Sequence, residues 1–231
     1  MPITLITGGN KGLGREAARR LIALGHIVYI GARDPGRGQA AAEDLGAQFL
    51  PLDVTDDASV DAAAAALTER EGRLDVLINN AGIAGLGLTI EGTSADDMRR
   101  LFETNVFGIV RMTRRFLPLL RASAAGVIVN VSSGLGSFGM VTDPGRIESR
   151  FPALAYGSSK AAVSMLTLQY AKGLPDLRIN AVDPGPTSTD LNNHAGRQTV
   201  EEGTDAIVRL ATIGPDGPTG TFSDRAGTVP W

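Results

Sequence analysis

The chain has no cysteine, only three lysines, and few aromatic side chains, which make up 5% of its 231 residues. Without cysteine there is no disulfide and no thiolate metal site, so a packed core must carry the stability; this fits a reducing cytoplasm. A formal net charge of −3 leaves no basic field for nucleic acid. No apolar run is long enough to span a bilayer. The start, Met1-Pro2-Ile3-Thr4, has no charged region leading into an apolar stretch, so no secretion signal is read there. The expectation is a cytoplasmic protein with neither nucleic acid nor membrane as partner. Glycine is plentiful at 29 residues, and the hydrophobic content of 43% can fill one core in a single domain over residues 1–231. Because arginine is so strongly preferred to lysine, each of Lys11, Lys160 and Lys172 is informative.

Short apolar runs alternate with longer helical patterns. Strands are predicted at Ile3–Ile6, Ile27–Ile30, Gln48–Leu52, Asp75–Ile78, Val127–Val131, Arg178–Val182 and near Thr221–Phe222. Helices are predicted over Gly12–Leu24, Gly36–Leu45, Ala58–Arg70, Ala95–Arg121, Tyr156–Gly173 and Val200–Ile213. Runs such as Val127-Ile128-Val129 are apolar without alternation, as strands buried on both faces are. The fold class is therefore α/β: a single Rossmann-type, doubly wound parallel sheet of about seven strands with helices on both faces.

The stretch Thr7-Gly8-Gly9-Asn10-Lys11-Gly12-Leu13-Gly14 joins the first strand to the first helix. Glycines there permit a tight turn and close approach to a pyrophosphate, and the first N–H groups of the helix lack intrahelical partners and can point at that anion. The second strand ends in Arg33-Asp34, with Arg37 following. Arg33, Arg37 and Lys11 around one ribose favour NADPH, while Asp34 keeps NADH open through a 2′-hydroxyl contact. Asp53 and Val54 follow the third strand; Asp53 could instead cap the helix beginning near Asp57. Asn79-Asn80-Ala81-Gly82 lies at the carboxyl edge, where such sheets bind ligands. Tyr156 and Lys160 are four apart and share a helix face. A tyrosine hydroxyl ordinarily titrates near pH 10, and an ammonium about 4 Å away supplies up to roughly 4 kcal/mol toward lowering it.

Together these segments resemble the short-chain dehydrogenase/reductase family over essentially the whole chain, and most closely its carbonyl-reductase-like members. The resemblance implies a catalytic tetrad of Asn105, Ser133, Tyr156 and Lys160, with Ser132 the lesser choice for the serine. Asn105 would hold a water in a proton relay, and Lys160 would lower the tyrosine pKa and hold the ribose. Gly8, Asn10, Lys11, Gly12, Leu13, Gly14, Arg33, Arg37, Asp53, Val54, Asn80, Ala81, Gly82, Tyr156 and Lys160 would bind NADP(H), with NAD(H) as the alternative. In Asp183-Pro184-Gly185-Pro186-Thr187-Ser188-Thr189, the Pro184-Gly185 turn matches the family. The backbone near Thr187 and the hydroxyl of Thr189 would take the nicotinamide carboxamide. The substrate would be a small carbonyl compound or alcohol. The family often forms homodimers through the long helices near Ala95–Arg121 and Tyr156–Gly173.

Two stretches depart from the pattern. Gly139–Phe151 lies between Ser133 and Tyr156 as an insertion that could roof the pocket or cover the pairing surface. The segment Leu191–Thr199 is short and polar, and His194 within it reads as solvent-facing.

Overall fold

The computed structural model describes all residues 1–231, and its order of elements is the expected alternation. Strands are β1 (Ile3–Thr7), β2 (Ile27–Ala32), β3 (Gln48–Pro51), β4 (Val76–Asn79), β5 (Val127–Val131), β6 (Arg178–Val182) and β7 (Phe222–Ser223). They form one parallel seven-stranded sheet in the order β3-β2-β1-β4-β5-β6-β7. The order reverses between β1 and β4, and it is at such a switch point that doubly wound sheets open a crevice.

Alternate side chains of each strand feed two separate cores. Leu5, Leu77 and Ile128 pack with the helices α3 (Asp57–Glu71) and α5 (Gly108–Arg121) on one face. Ile6, Ile78 and Val129 pack with α1 (Gly12–Ala23) and α8 (Val200–Ala211) on the other. On the face of Leu77 and Ile128 the strand ends carry a short polar chain. The Asn79 amide donates to Asn130 Oδ1 at 2.8 Å, and the Asn130 amide to Thr167 Oγ1 at 2.9 Å. No helix is long and apolar enough to cross a membrane.

Local chemistry sets the helix ends. Helix α2 (Pro35–Leu45) carries proline at its first turn, Asp34 accepts from the Arg37 N–H as its cap, and Gly46 closes it in the left-handed conformation. Asp56 caps α3 by accepting from the Ala58 N–H, so the alternative of Asp53 as that cap is not realised. The single helix expected over Ala95–Arg121 is divided. Helix α4 (Ala95–Phe102) passes into a π-turn at Glu103–Phe107 before α5, with the Gly108 N–H reaching back to the Glu103 carbonyl. An i→i+5 turn leaves the apolar periodicity of the flanking helices almost intact, so sequence pattern does not show it. Helix α6 (Phe138–Val141) and a 3₁₀ turn at Glu148–Arg150 structure the insertion, and α7 (Leu154–Gly173) follows.

The β1 and β4 ends are joined by a side chain rather than by the ladder alone. Thr7 Oγ1 accepts from the N–H groups of Asn80 (3.0 Å) and Ala81 (2.9 Å). Thr7→Val keeps the shape and strands the Ala81 N–H, whereas the Asn80 N–H keeps the Ile78 carbonyl at 3.1 Å. Partial exposure holds the loss to the low end for such a group, about 1 kcal/mol. Urea unfolding should show a lower midpoint at unchanged slope; a change under about 0.5 kcal/mol would show that these bonds do not hold the strand ends.

Candidate active site

The carboxyl ends of β1, β4, β5 and β6 surround one cleft. On the β1 side, Gly8 and Gly12 have φ of 64° and 52°, in the left-handed region that favours glycine. A side chain on Gly14 would begin 2.5 Å from Asn80 Nδ2 and 2.6 Å from the Gly8 carbonyl oxygen. The Asn80 amide itself donates to the carbonyls of Thr7 (2.9 Å) and Gly8 (3.2 Å), pinning the glycine loop to the β4 end. Lys11 occupies the N-cap position of α1 and makes no side-chain capping bond. The first N–H groups of α1, from Gly12, Leu13 and Gly14, therefore have no side-chain cap and suit an anion. Asn10 is half-buried in the same loop.

The three expected cations are not equally free. Arg33 is exposed and forms no ion pair. Arg37 lies 3.5 Å from Asp34, one helical turn back. Lys11 crosses the cleft to Asp190, 2.9 Å away, and Asp190 also meets His194 at 3.1 Å. His194 is thus exposed but paired. With Asp34 engaged as helix cap and with Arg37, the feature that kept NADH open is occupied locally. Asp53 does not reach outward either. Its Oδ1 accepts from the Thr55 N–H (2.9 Å) and hydroxyl (2.7 Å). Burial raises its pKa, but these bonds and the charges of Arg33 and Arg111 bring it below the usual carboxylate range. Val54 packs on Gly108, where an added Cβ would lie 2.9 Å from its side chain.

The tetrad residues converge from β5, α7 and the π-turn. A Cβ on Gly82 would stand 3.3 Å from Asn105 Oδ1 and 3.7 Å from Lys160 Nζ, so the β4 loop, the π-turn and α7 meet at one point. Asn105 is fully buried. Its Oδ1 accepts from the Ile83 N–H at 2.9 Å, and its amide donates to the Ile83 carbonyl at 2.9 Å and to Ser159 Oγ at 3.0 Å. Ser159 in turn donates to the Tyr156 carbonyl at 2.7 Å. Both amide hydrogens of Asn105 are therefore used, and its side chain is a clamp between loop and helix rather than the water holder that was expected. Ser132 is internal: its hydroxyl donates to the Lys160 carbonyl and meets Ser164 Oγ, each at 3.0 Å. Ser133, next along, accepts from the Leu135 N–H at 3.2 Å and is the serine that acts on Tyr156.

The electrostatics correct a second expectation. Lys160 is buried, donates to the Val131 carbonyl at 2.7 Å, and lies 5.6 Å from the Tyr156 ring centre. Burial pushes its pKa down to about 8, against a raising influence from Asp183. Tyr156 is pushed up to about 12, first by burial, then by the Asp183 charge, with Ser133 pulling the other way. In the unliganded protein, then, Lys160 does not depress the tyrosine: its ammonium is directed to Val131, and its own charge is disfavoured. Asp183 is the residue that motif reading left without a role. It is only 6% exposed, and its Oδ1 accepts from the Gly185 N–H at 3.0 Å, shaping the turn across from the tetrad. In that turn Thr187 donates its hydroxyl to the Pro184 carbonyl at 3.0 Å, and its N–H to the Gly185 carbonyl at 2.8 Å. Its backbone is thereby occupied, whereas Thr189 faces the glycine loop, 3.5 Å from where a Gly12 side chain would begin.

The profile of the family described as short chain dehydrogenase matches residues 2–199 of this arrangement. The chain belongs to that family. Its relatives include a (+)-neomenthol dehydrogenase from Capsicum annuum, 31% identical over 297 aligned positions covering 96% of this chain and 95% of the relative. That alignment is longer than the 231-residue chain, so the plant enzyme carries residues without a counterpart in this short-chain dehydrogenase. An NADPH-bound carbonyl reductase from chicken fatty liver superposes with a TM-score of 0.87 at 31% identity, covering 100% of each chain. A 3-ketoacyl-(acyl-carrier-protein) reductase from Brucella melitensis, complexed with NADH, gives 0.85 at 26% identity, covering 96% of each.

All three tyrosines of this short-chain dehydrogenase titrate high: Tyr29 and Tyr156 at about 12, and Tyr170 above its ordinary value, each chiefly through burial. At pH 10 the folded protein should show little tyrosinate absorbance at 295 nm, while the urea-unfolded chain should be about half ionised. The folded state keeps protons that the unfolded chain releases, so this stabilisation is complete below pH 10 and is lost as pH rises from 10 to 12. Equal absorbance in the two states at pH 10 would contradict the burial of these hydroxyls.

Proposed function

We propose that this short-chain dehydrogenase reduces the carbonyl group of a small molecule with NADPH, using Tyr156 as general acid. The observation that carries the reading is the convergence of Ser133, Tyr156 and Lys160 opposite an uncapped helix start and the Pro184-Gly185 turn. The residues fit a dinucleotide. Space for a pyrophosphate follows from the glycines at 8, 12 and 14 and from the free N–H groups of α1. Arg33 is available for a 2′-phosphate. Lys11 is held only by an exposed ion pair, worth about 0–1 kcal/mol, and can exchange Asp190 for the phosphate. Thr189 would orient the carboxamide.

When bound, the reduced nicotinamide supplies the hydride. The chain's own part is to align and protonate. Hydroxyls of Ser133 and Tyr156 would hold the carbonyl oxygen and stabilise the negative charge that grows on it. Tyr156 would then give its proton to that oxygen. A phenol held at about 12 keeps its proton throughout the physiological range and so has one to give. Lys160 would leave the Val131 carbonyl in part to meet the ribose. Asn105 would act at one remove, through Ile83 and Ser159.

Tyr156→Phe should lower kcat for a reactive probe such as 4-nitrobenzaldehyde by at least about 10²-fold, a general acid typically contributing 10²–10⁴. NADPH affinity should change by no more than about twofold. Near wild-type turnover would remove Tyr156 from the role.

Cofactor choice has its own check. Arg33→Ala should weaken NADPH by about tenfold through loss of a charge-assisted hydrogen bond, leaving NADH unchanged. Lys11→Ala should have the smaller effect, since Lys11 must first leave Asp190. Fluorescence titration with both cofactors reads this, and equal losses for NADPH and NADH would mean that Arg33 only supports the loop.

A further inference from the structure

Beside the proposed reaction centre the surface opens into a groove of about 480 Å³, a volume that suits a small ligand. Asp183, Pro184 and Gly185 form its inner wall, so it continues from the turn that faces the tetrad. The insertion contributes Arg146 and Glu148 from above, and Gln198 and Asp224 close the sides.

The groove is rich in hydrogen-bond acceptors that lack a cation. Glu148, Asp183 and Asp224 take part in no ion pair, whereas the Arg225 guanidinium at the rim is engaged with Glu202 (2.7 Å) and Asp205 (2.9 Å). Gln198 Oε1 is buried with no hydrogen-bond donor, and it lies against the turn, 2.2 Å from where a side chain on Gly185 would begin. Arg146 is the one unpaired cation among these residues. We infer that this groove holds the hydroxyl-bearing end of the substrate, and that the substrate class is a neutral polyhydroxylated aldehyde or ketone.

Each alternative class meets an objection. An apolar ketone would cover Gln198 Oε1 and Glu148 without supplying donors, and unmade buried bonds are costly. An anion would face the carboxylates. A cation would have to share them with Arg146. A hydroxyl donates one bond and accepts two, so a short row of them can satisfy Gln198 and Glu148 while accepting from Arg146. The inference rests on the reductase reading for its placement of the carbonyl, but the groove's chemistry can be tested apart from it.

Erythrulose, 2-butanone and levulinate present a four- or five-carbon ketone with hydroxyls, with none, and with a negative charge. With NADPH, erythrulose should exceed the other two in kcat/KM by at least about 100-fold, corresponding to two hydrogen bonds. Glu148→Ala should raise KM for erythrulose by about tenfold. Saturation-transfer NMR on the NADP⁺-loaded protein gives a readout without turnover: erythrulose should show transfer with wild type and much less with Glu148→Ala. Turnover of 4-nitrobenzaldehyde with no preference for erythrulose would overturn the groove assignment and leave the reductase standing. Erythrulose binding sensitive to Glu148, with no reduction of any carbonyl, would do the reverse. Neither binding nor turnover would sink both.

Discussion

The close approach of α1 to the ends of β1 and β4 is the constraint on which the rest of this site depends. Gly14 admits no Cβ because Asn80 and the Gly8 carbonyl already fill that space. In turn Asn80 is fixed by the two carbonyls to which it donates, and Thr7 holds the neighbouring N–H groups. If this packing is relaxed, the helix start moves away from the sheet, and the free N–H groups no longer face the cleft. The β4 loop would shift too, carrying Gly82 away from Asn105 and Lys160. The proposed anion site and the proposed catalytic cluster are therefore mechanically one structure, joined through Thr7, Gly14 and Asn80.

Much of this could be read in the residues themselves. Unbroken apolar strands, helical spacing between them and a glycine turn at the first junction determine a doubly wound sheet, because few other arrangements bury both faces of so many short strands. Ser132 spends its hydroxyl on Lys160 and Ser164 inside the protein, which leaves Ser133 the freer hydroxyl of the pair. Side-chain allegiance was not legible. Nothing in Arg33-Asp34 or Lys11 says that Asp34 will cap α2 or that Lys11 will reach Asp190, 179 positions along the chain. Such pairings depend on where loops are set down in space, and short-range pattern carries no information about that.

The π-turn is the clearest case. Asn105 in a regular helix would compete with its own backbone or face solvent. Within the π-turn its amide points inward, onto Ile83 and Ser159. The flanking helices still look continuous in their apolar spacing, so the break leaves no trace in periodicity. Its effect is to make one buried side chain span the β4 loop and α7, the two elements that must keep a fixed distance if Gly82 and Tyr156 are to face the same ligand.

Burial also sets the chemical bias of the site. Taking Tyr156 out of water favours its neutral form, and taking Lys160 out of water weakens its hold on a proton: a phenol near 12 and an ammonium near 8. Asp183 opposes this for the lysine and reinforces it for the tyrosine, since a nearby negative charge favours cations and penalises tyrosinate. A site biased in this way holds a proton ready on Tyr156 and resists giving it up until a positive charge arrives or an oxyanion forms beside it. In the proposed reduction, proton donation is thereby tied to the moment when charge develops on the substrate oxygen.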